Sequence, residues 1–346
     1  MRLLGAWAVL LFTLAPPQER PAGQGFSFRS NVALINVTAT VTDANGHFVS
    51  GLTRDDFEIY EDGVLQAASH FDAERVPVSL GLAIDTSGSM VGEKWTAAQA
   101  AVQRFLVDLL GSQDEVFLYR FDSRAVLVQP WTSDRRAAGR ALGTVEPRGG
   151  TAMYDAVADA IPLAQQGAKR KKALVVISDG QDTSSQIRVP ELTRLIQESE
   201  VLVYAIGIDA SGTPPPAASR TASSRSGQAS QPPRPSPFPG RKAPVPAPAA
   251  PPAPVRPAPA RTGGSTDRVN ADALRAMTDD SGGRTEIIYS AQDLDPATAG
   301  IAGELSQQYF LGYASSAPKD GRWHTIEVRV KKGGYLVRAR RGFIAS

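Results

Sequence analysis

The hydrophobic positions of this chain change rhythm twice. From Val32 to Val41, β-branched residues are frequent and apolar positions alternate at Ile35, Val37, Ala39 and Val41, which predicts a half-buried strand. Asp43-Ala44-Asn45-Gly46 breaks the pattern as a turn; alternation returns over Phe57-Glu58-Ile59-Tyr60 and turns again at Glu61-Asp62-Gly63. Val64 to Phe71 reads as a returning strand. So few strands cannot enclose a core of their own.

From Val78 the period switches to strand, helix, strand. Val78 to Ile84 is an apolar run of strand length, and Trp95, Ala98, Val102, Phe105, Leu106 and Leu109 fall on one helical face. Glu115 to Phe121 and Ala125 to Gln129 read as strands on either side of Asp122-Ser123. Met153, Val157, Ala160, Ile161 and Ala164 form a second helical face. Ala173 to Ile177 is a continuous apolar run, the mark of a strand buried on both sides. Val189 to Glu198 reads as a helix and Val201 to Ile208 as another buried strand. Such alternation predicts an α/β fold, a doubly wound and mostly parallel sheet with flanking helices.

The rhythm then stops. Residues 210–266 are rich in Pro, Ala, Ser and Arg and contain no acidic residue, a composition that cannot bury enough apolar surface to offset its ordering entropy. Pro244-Val245-Pro246-Ala247-Pro248 has the character of an extended linker. Folded signals resume with a helix carrying Ala271, Leu274 and Met277, a short strand from Thr285 to Tyr289 and a helix carrying Ile301 and Leu305. The linker is therefore expected to interrupt one α/β domain, built from residues 78–209 and 267–308. The tail is β again: Tyr309 to Tyr313, Trp323 to Val330 alternating at Ile326, Val328 and Val330, and Tyr335 to Ala339 beyond a Lys331-Lys332-Gly333-Gly334 turn. Residues 26–76 are too short to stand alone and residues 309–346 have no other partner. They are expected to pair into a β-sandwich-like domain with the α/β domain inserted between them.

Composition narrows the function. The 346 residues are 42% hydrophobic and 21% charged, an ordinary globular balance, and a net charge of +2 gives no argument for nucleic acid. The absence of cysteine excludes disulfides, iron–sulfur clusters and thiolate zinc. Met1-Arg2 followed by an apolar run from Leu3 to Ala15 reads as a secretory signal over residues 1–22. That run is too short to span a bilayer, so an exported protein is expected and not an integral membrane one. Lys169-Arg170-Lys171-Lys172 reads as a solvated helix C-terminus favoured by the helix dipole.

Candidate chemistry lies at strand ends. Asp85-Thr86-Ser87-Gly88-Ser89 follows the first buried strand, and a carboxylate with two hydroxyls at i, i+2 and i+4 can converge on one point across a tight turn. Arg148-Gly149-Gly150-Thr151 precedes a helix, and Ser178-Asp179-Gly180-Gln181-Asp182 follows the Ala173 to Ile177 strand. Loops at the carboxyl ends of a doubly wound sheet meet at one edge. There the three segments offer hard oxygens suited to Mg²⁺ and not to a soft metal. Singly, each residue is explained by a turn or a cap.

An Asp-x-Ser-x-Ser motif, a later Gly-Gly-Thr and an Asp-Gly after a buried strand together resemble the von Willebrand factor type A domain. The likeness covers roughly residues 78–308, interrupted by the linker, and the long Pro/Ala insertion departs from the compact family domain. The flanking order, with Tyr309-Phe310-Leu311-Gly312-Tyr313 and Arg340-Arg341-Gly342-Phe343, resembles the type A-related proteins of acidobacteria and similar bacteria. The resemblance implies a metal-ion-dependent adhesion site, with Ser87, Ser89 and Thr151 as hydroxyl ligands and Asp85 and Asp179 binding directly or through water. The implied cation is Mg²⁺, with Mn²⁺ or Ca²⁺ as alternatives, and the implied partner is a protein offering an Asp or Glu carboxylate. The expected function is non-enzymatic capture for adhesion or assembly of an envelope or surface complex. Two other classes compete. A hydrolase would need a base near Ser87 or Ser89, yet His47, His70 and His324 all lie in β segments and no nucleophile motif occurs. A subunit of an ATP-driven assembly is opposed by the export signal.

Overall fold

The computed structural model describes residues 33–179, 182–209 and 269–345. The expected signal over residues 1–22 and the whole of the expected linker over 210–266 fall outside them, as do Gly180 and Gln181 of the third strand-end loop.

Four strands open the chain: β1 (Ala33–Thr42), β2 (Phe57–Glu61), β3 (Val64–Gln66) and β4 (Ala68–Asp72). The alternating region follows as β5 (Val78–Asp85), α1 (Glu93–Arg104), β6 (Glu115–Phe121), β7 (Ala125–Thr132), α2 (Arg135–Gly143), α3 (Met153–Gln165), β8 (Lys171–Ser178), α4 (Val189–Glu198) and β9 (Leu202–Ile208). It resumes with α5 (Ala271–Thr278), β10 (Thr285–Ile288) and α6 (Leu294–Gln307). The chain closes with β11 (Tyr309–Ser315), β12 (Trp323–Val330), β13 (Leu336–Arg338) and β14 (Gly342–Ile344).

The alternating region forms one six-stranded sheet in the order β10-β9-β8-β5-β6-β7, parallel except for β7. β5 is buried along its whole length between β6 and β8, which explains its unbroken apolar character. Successive side chains face opposite sides. Leu80, Leu82 and Ile84 accordingly join the core under α1, α2 and α6, while Ala83, Leu174 and Val176 join the core under α3, α4 and α5. At the sheet's edge the chain passes very close to its neighbour. A Cβ placed on Gly283 would lie 1.9 Å from the Val203 carbonyl oxygen of β9, a backbone atom that cannot rotate away. Gly283→Ala is therefore expected to lower stability by about 3 kcal/mol, the scale of severe overpacking, as a fall in the urea midpoint at unchanged slope.

The terminal strands form two antiparallel sheets, β13-β1-β11-β4 and β14-β12-β2-β3, as separate layers around a common core. Ile35, Val37 and Leu311 from the first meet Phe57, Ile59, Ile326 and Val328 from the second. The stretch from Val64 to Phe71, read as one strand, is two: residues 64–66 pair with β2, and residues 68–72 cross to pair with β11. The chain leaves this sandwich after β4 and returns through Gln308 into β11. β4 and β11 are hydrogen-bonded neighbours, with Asp72 opposite Phe310, so the two covalent links run side by side.

A buried polar cluster joins the two modules at the end of α6. Glu304 is 1% exposed and accepts hydrogen bonds from Thr40 Oγ1 at 3.1 Å, Tyr204 Oη at 2.8 Å and Arg284 Nε at 3.0 Å, with the Arg338 guanidinium also against it. Lys171 corrects the reading of the basic run. It is fully buried in β8, and its ammonium donates to the Leu305 carbonyl at 2.7 Å, capping the end of α6. Arg170 lies over the Phe310 ring and pairs with Asp72 at 2.9 Å. Arg170 and Lys171 thus belong to a seam between modules, where β4 and the α6 C-terminus supply their acceptors, while Lys172 donates within the run to the Lys169 carbonyl at 3.1 Å.

Candidate metal centre

Asp85 is the last residue of β5 and its side chain is completely buried. One carboxylate oxygen, Oδ1, accepts the Ser87 amide at 2.8 Å, and Oδ2 accepts the Ser178 hydroxyl at 2.5 Å. Parallel pairing of Ile84 with Ile177 places Ser178 alongside it. Burial pushes the Asp85 carboxyl up to about 6; the hydrogen bonds from Ser178 and Ser87 oppose the shift, and the nearby Asp179 charge adds to it. A cation beside Asp85 would relieve that cost.

Beyond Asp85 the backbone stays extended at Ser87 and then closes a single 3₁₀ turn over Gly88–Met90. That turn puts the Ser87 and Ser89 hydroxyls 3.0 Å apart. Ser89 Oγ donates in turn to Asp179 Oδ1 at 2.7 Å, so these four residues form one connected set. Met90 is fully buried and anchors the turn from below, while Gly88 and Ser89 are exposed at the mouth.

The second loop is fastened to the first by backbone bonds. Arg148 N donates to Thr86 O at 2.7 Å and Gly88 N to Gly149 O at 3.0 Å. Gly149 has φ +78°, a conformation open to glycine and strained for other residues. Thr151 follows, 5% exposed; its amide donates to Thr183 Oγ1 at 3.0 Å, and its carbonyl accepts from the amides of Thr183 and Ser184. Thr151 thus reaches the same edge as Asp85, Ser87, Ser89 and Asp179, held between the first loop and the segment after Asp179.

The donor set fits a hard divalent cation: two buried carboxylates and three hydroxyls, with no thiol or imidazole. Among the described residues no group of three or more His, Cys, Asp or Glu side chains could hold a metal ion. The site is recognisable only when hydroxyls are counted as ligands. His47, His70 and His324 all lie in the strands and turns of the sandwich, away from this edge.

Two residues escaped the sequence reading. Ser178 steadies Asp85, and its position directly before Asp179 was the available signal. Lys94, in the first turn of α1, places its ammonium against Asp179 Oδ2 and donates to the Ser89 carbonyl at 3.1 Å. A lysine in a first helical turn opposes the helix dipole, and that was the hint that it serves something else.

A doubly wound sheet with an acidic, hydroxyl-rich site at the carboxyl ends of its central strands defines an α/β ligand-binding domain. Residues 80–181 match the family model of the von Willebrand factor type A domain. Domains of this family bind a divalent metal at their adhesion site and generally bind protein partners. No curated protein matches the chain. Among solved structures it is similar to BatB from Bacteroides thetaiotaomicron, at 19% identity over 66% of this chain and 97% of that one, with a TM-score of 0.44. It is also similar to a von Willebrand factor type A protein from Catenulispora acidiphila, at 15% identity over 92% and 75% of the two chains, with a TM-score of 0.47. A third similar structure is proximal thread matrix protein 1 from the mussel byssus with a zinc-occupied MIDAS motif, at 12% identity over 72% and 50%, with a TM-score of 0.48.

Proposed function

We propose that this chain is an exported, non-enzymatic binding protein whose type A domain holds Mg²⁺ through Asp85, Ser87, Ser89, Thr151 and Asp179. It captures a protein partner through an Asp or Glu carboxylate, in adhesion or in assembly of an envelope or surface complex. The observation that carries this reading is the connected set Asp85–Ser87–Ser89–Asp179 at the carboxyl edge of the central strands. Three of the five side chains are neutral hydroxyls, and five donors do not fill the six positions of Mg²⁺, so the bound ion offers an open position to an incoming carboxylate. That contact is worth more than an exposed ion pair, which typically gives below about 1 kcal/mol. The hydrolase reading lacks a base, since all three histidines belong to the sandwich. Among the described residues no helix is long and apolar enough to cross a membrane.

A pull-down from the native envelope fraction tests this. Partner capture by the full chain should need millimolar Mg²⁺, reverse with EDTA, and fall at least tenfold in Asp179→Ala. Capture that survives EDTA would sink the metal-bridged mechanism.

A further inference from the structure

Lys94 has no place in the five-ligand reading, yet it makes the most direct contact with it. The Asp179 side chain is fully buried, and both of its oxygens are engaged: Oδ1 by the Ser89 hydroxyl at 2.7 Å and Oδ2 by the Lys94 ammonium. The ammonium also touches the Ser89 carbonyl at 3.1 Å, so it rests against two of the five residues at once. Its side chain is 24% exposed, enough to open a path to solvent at the rim. Lys94 does not sit there for the benefit of its helix, because a cation in the first turn is disfavoured by the dipole. Gly92, at φ +87°, introduces that turn, and two residues on the lysine stem points at Asp179.

We propose that Lys94 is a tethered cation that competes with the divalent ion for Asp179 and so sets how readily the site loads. This inference rests on the metal-site reading above. A buried carboxylate left without a counter-ion is costly, and Lys94 supplies one from within the chain. A divalent ion drawn to the same carboxylate meets a positive charge already hydrogen-bonded to it. Loading requires the ammonium to swing outward along its flexible stem. The donors alone would bind the ion more tightly than the intact site does. Once displaced, the ammonium lies at the mouth beside Ser89, on the path of an acidic ligand.

The experiment is a titration of the full chain with Mn²⁺, followed by the loss of the free-ion EPR signal, and with Mg²⁺ by calorimetry. Wild type, Lys94→Met, Lys94→Gln and Asp179→Asn are compared, each with a thermal melt in EDTA and in Mg²⁺. Both Lys94 variants should bind the metal roughly tenfold or more tightly than wild type, by the size of one removed partly buried charge contact. In EDTA they should melt below wild type, because Asp179 has lost its counter-ion, and Mg²⁺ should close that gap. Asp179→Asn should bind the metal more weakly than wild type. Equal affinities in wild type and both Lys94 variants, or weaker binding in the variants, would overturn the competition and leave the metal site standing. No saturable binding in any protein would overturn the metal-site reading and this inference with it. The Lys94→Gln variant keeps a polar tip at the rim, so a folding defect confined to Lys94→Met does not decide the outcome.

Discussion

Asp85→Asn is expected to abolish divalent-metal binding and, at pH 7 in EDTA, to make the protein more stable than wild type. The two effects have one cause. The Asp85 side chain is completely buried, and burial pushes its carboxyl from 3.8 up to about 6. A carboxyl with a raised folded pKa contributes stability that is fully present below its unfolded value near pH 4 and is lost as pH rises through about 6. At pH 7 the ionised group is buried at a cost of roughly 2–3 kcal/mol, from a shift of about two units. An amide removes the charge. Its oxygen keeps the Ser87 amide as a donor, and the Ser178 hydroxyl can rotate to accept from its nitrogen. The variant should therefore gain about 2 kcal/mol in EDTA at pH 7 and nothing near pH 4, where wild type is already neutral.

Mg²⁺ reverses the order. Wild type should gain RT ln(1 + [Mg²⁺]/Kd), about 2.7 kcal/mol at one hundred times Kd, while the variant gains nothing. Acidification through pH 6 should shrink the wild-type gain, because protons compete for Asp85. Urea denaturation at pH 4 and pH 7, with EDTA and with Mg²⁺, gives all the required comparisons. A destabilised Asp85→Asn protein at pH 7 in EDTA would mean that the carboxylate is favourably paired without metal.

The second large effect lies far from the site in sequence. Glu304→Ala is expected to cost about 3–5 kcal/mol, the range for removing one partner from a buried charged network. Glu304 is the common acceptor for Thr40 of β1, Tyr204 of β9, Arg284 ahead of β10 and Arg338 of β13. Truncation takes the acceptor from the Tyr204 and Thr40 hydroxyls, which keep only the Gln308 amide as a donor at 2.8 and 3.0 Å, and leaves two guanidinium groups without their shared carboxylate. Arg284 retains Glu286 at 2.8 Å, and both arginines are about one-third exposed, which holds the loss to this range. The double change Glu304→Ala with Arg338→Ala should be less destabilising than the sum of its parts, because the two residues share one network. Denaturant titration reads both. An additive pair, or a single-variant loss below about 1 kcal/mol, would show that the cluster does not hold α6 to the sandwich.

Long, strongly periodic segments were legible from the residues. α4 spans 189–198 and β12 spans 323–330, the bounds that spacing alone suggests, because each has a continuous face toward one core. Asp85, Ser87, Ser89 and Asp179 were legible for a related reason: each lies within a few residues of the end of an apolar run, so the strand itself aims it. α2 was missed although Asp134 caps it, accepting the amides of Arg136 and Ala137. Only Ala138 and Leu142 are buried there, too few to set a period. β14 is three residues long and exists through its pairing with β12. The split between β3 and β4 was invisible because a strand's run of residues does not state which sheet will receive it.

By itself the sequence determined the order of the long elements, the doubly wound core and the oxygen-rich residues at its carboxyl edge, since these follow from local periodicity and from turns next to strands. Tertiary structure alone decided what long-range pairing and burial decide. It turned Lys171 from a solvated charge into a cap on α6, joined Glu304 to Thr40 across 264 residues, and set Lys94 against Asp179. The reason is electrostatic. The cost of a charge depends on the dielectric and the partners around it, and for these three residues the partners arrive from elsewhere in the fold.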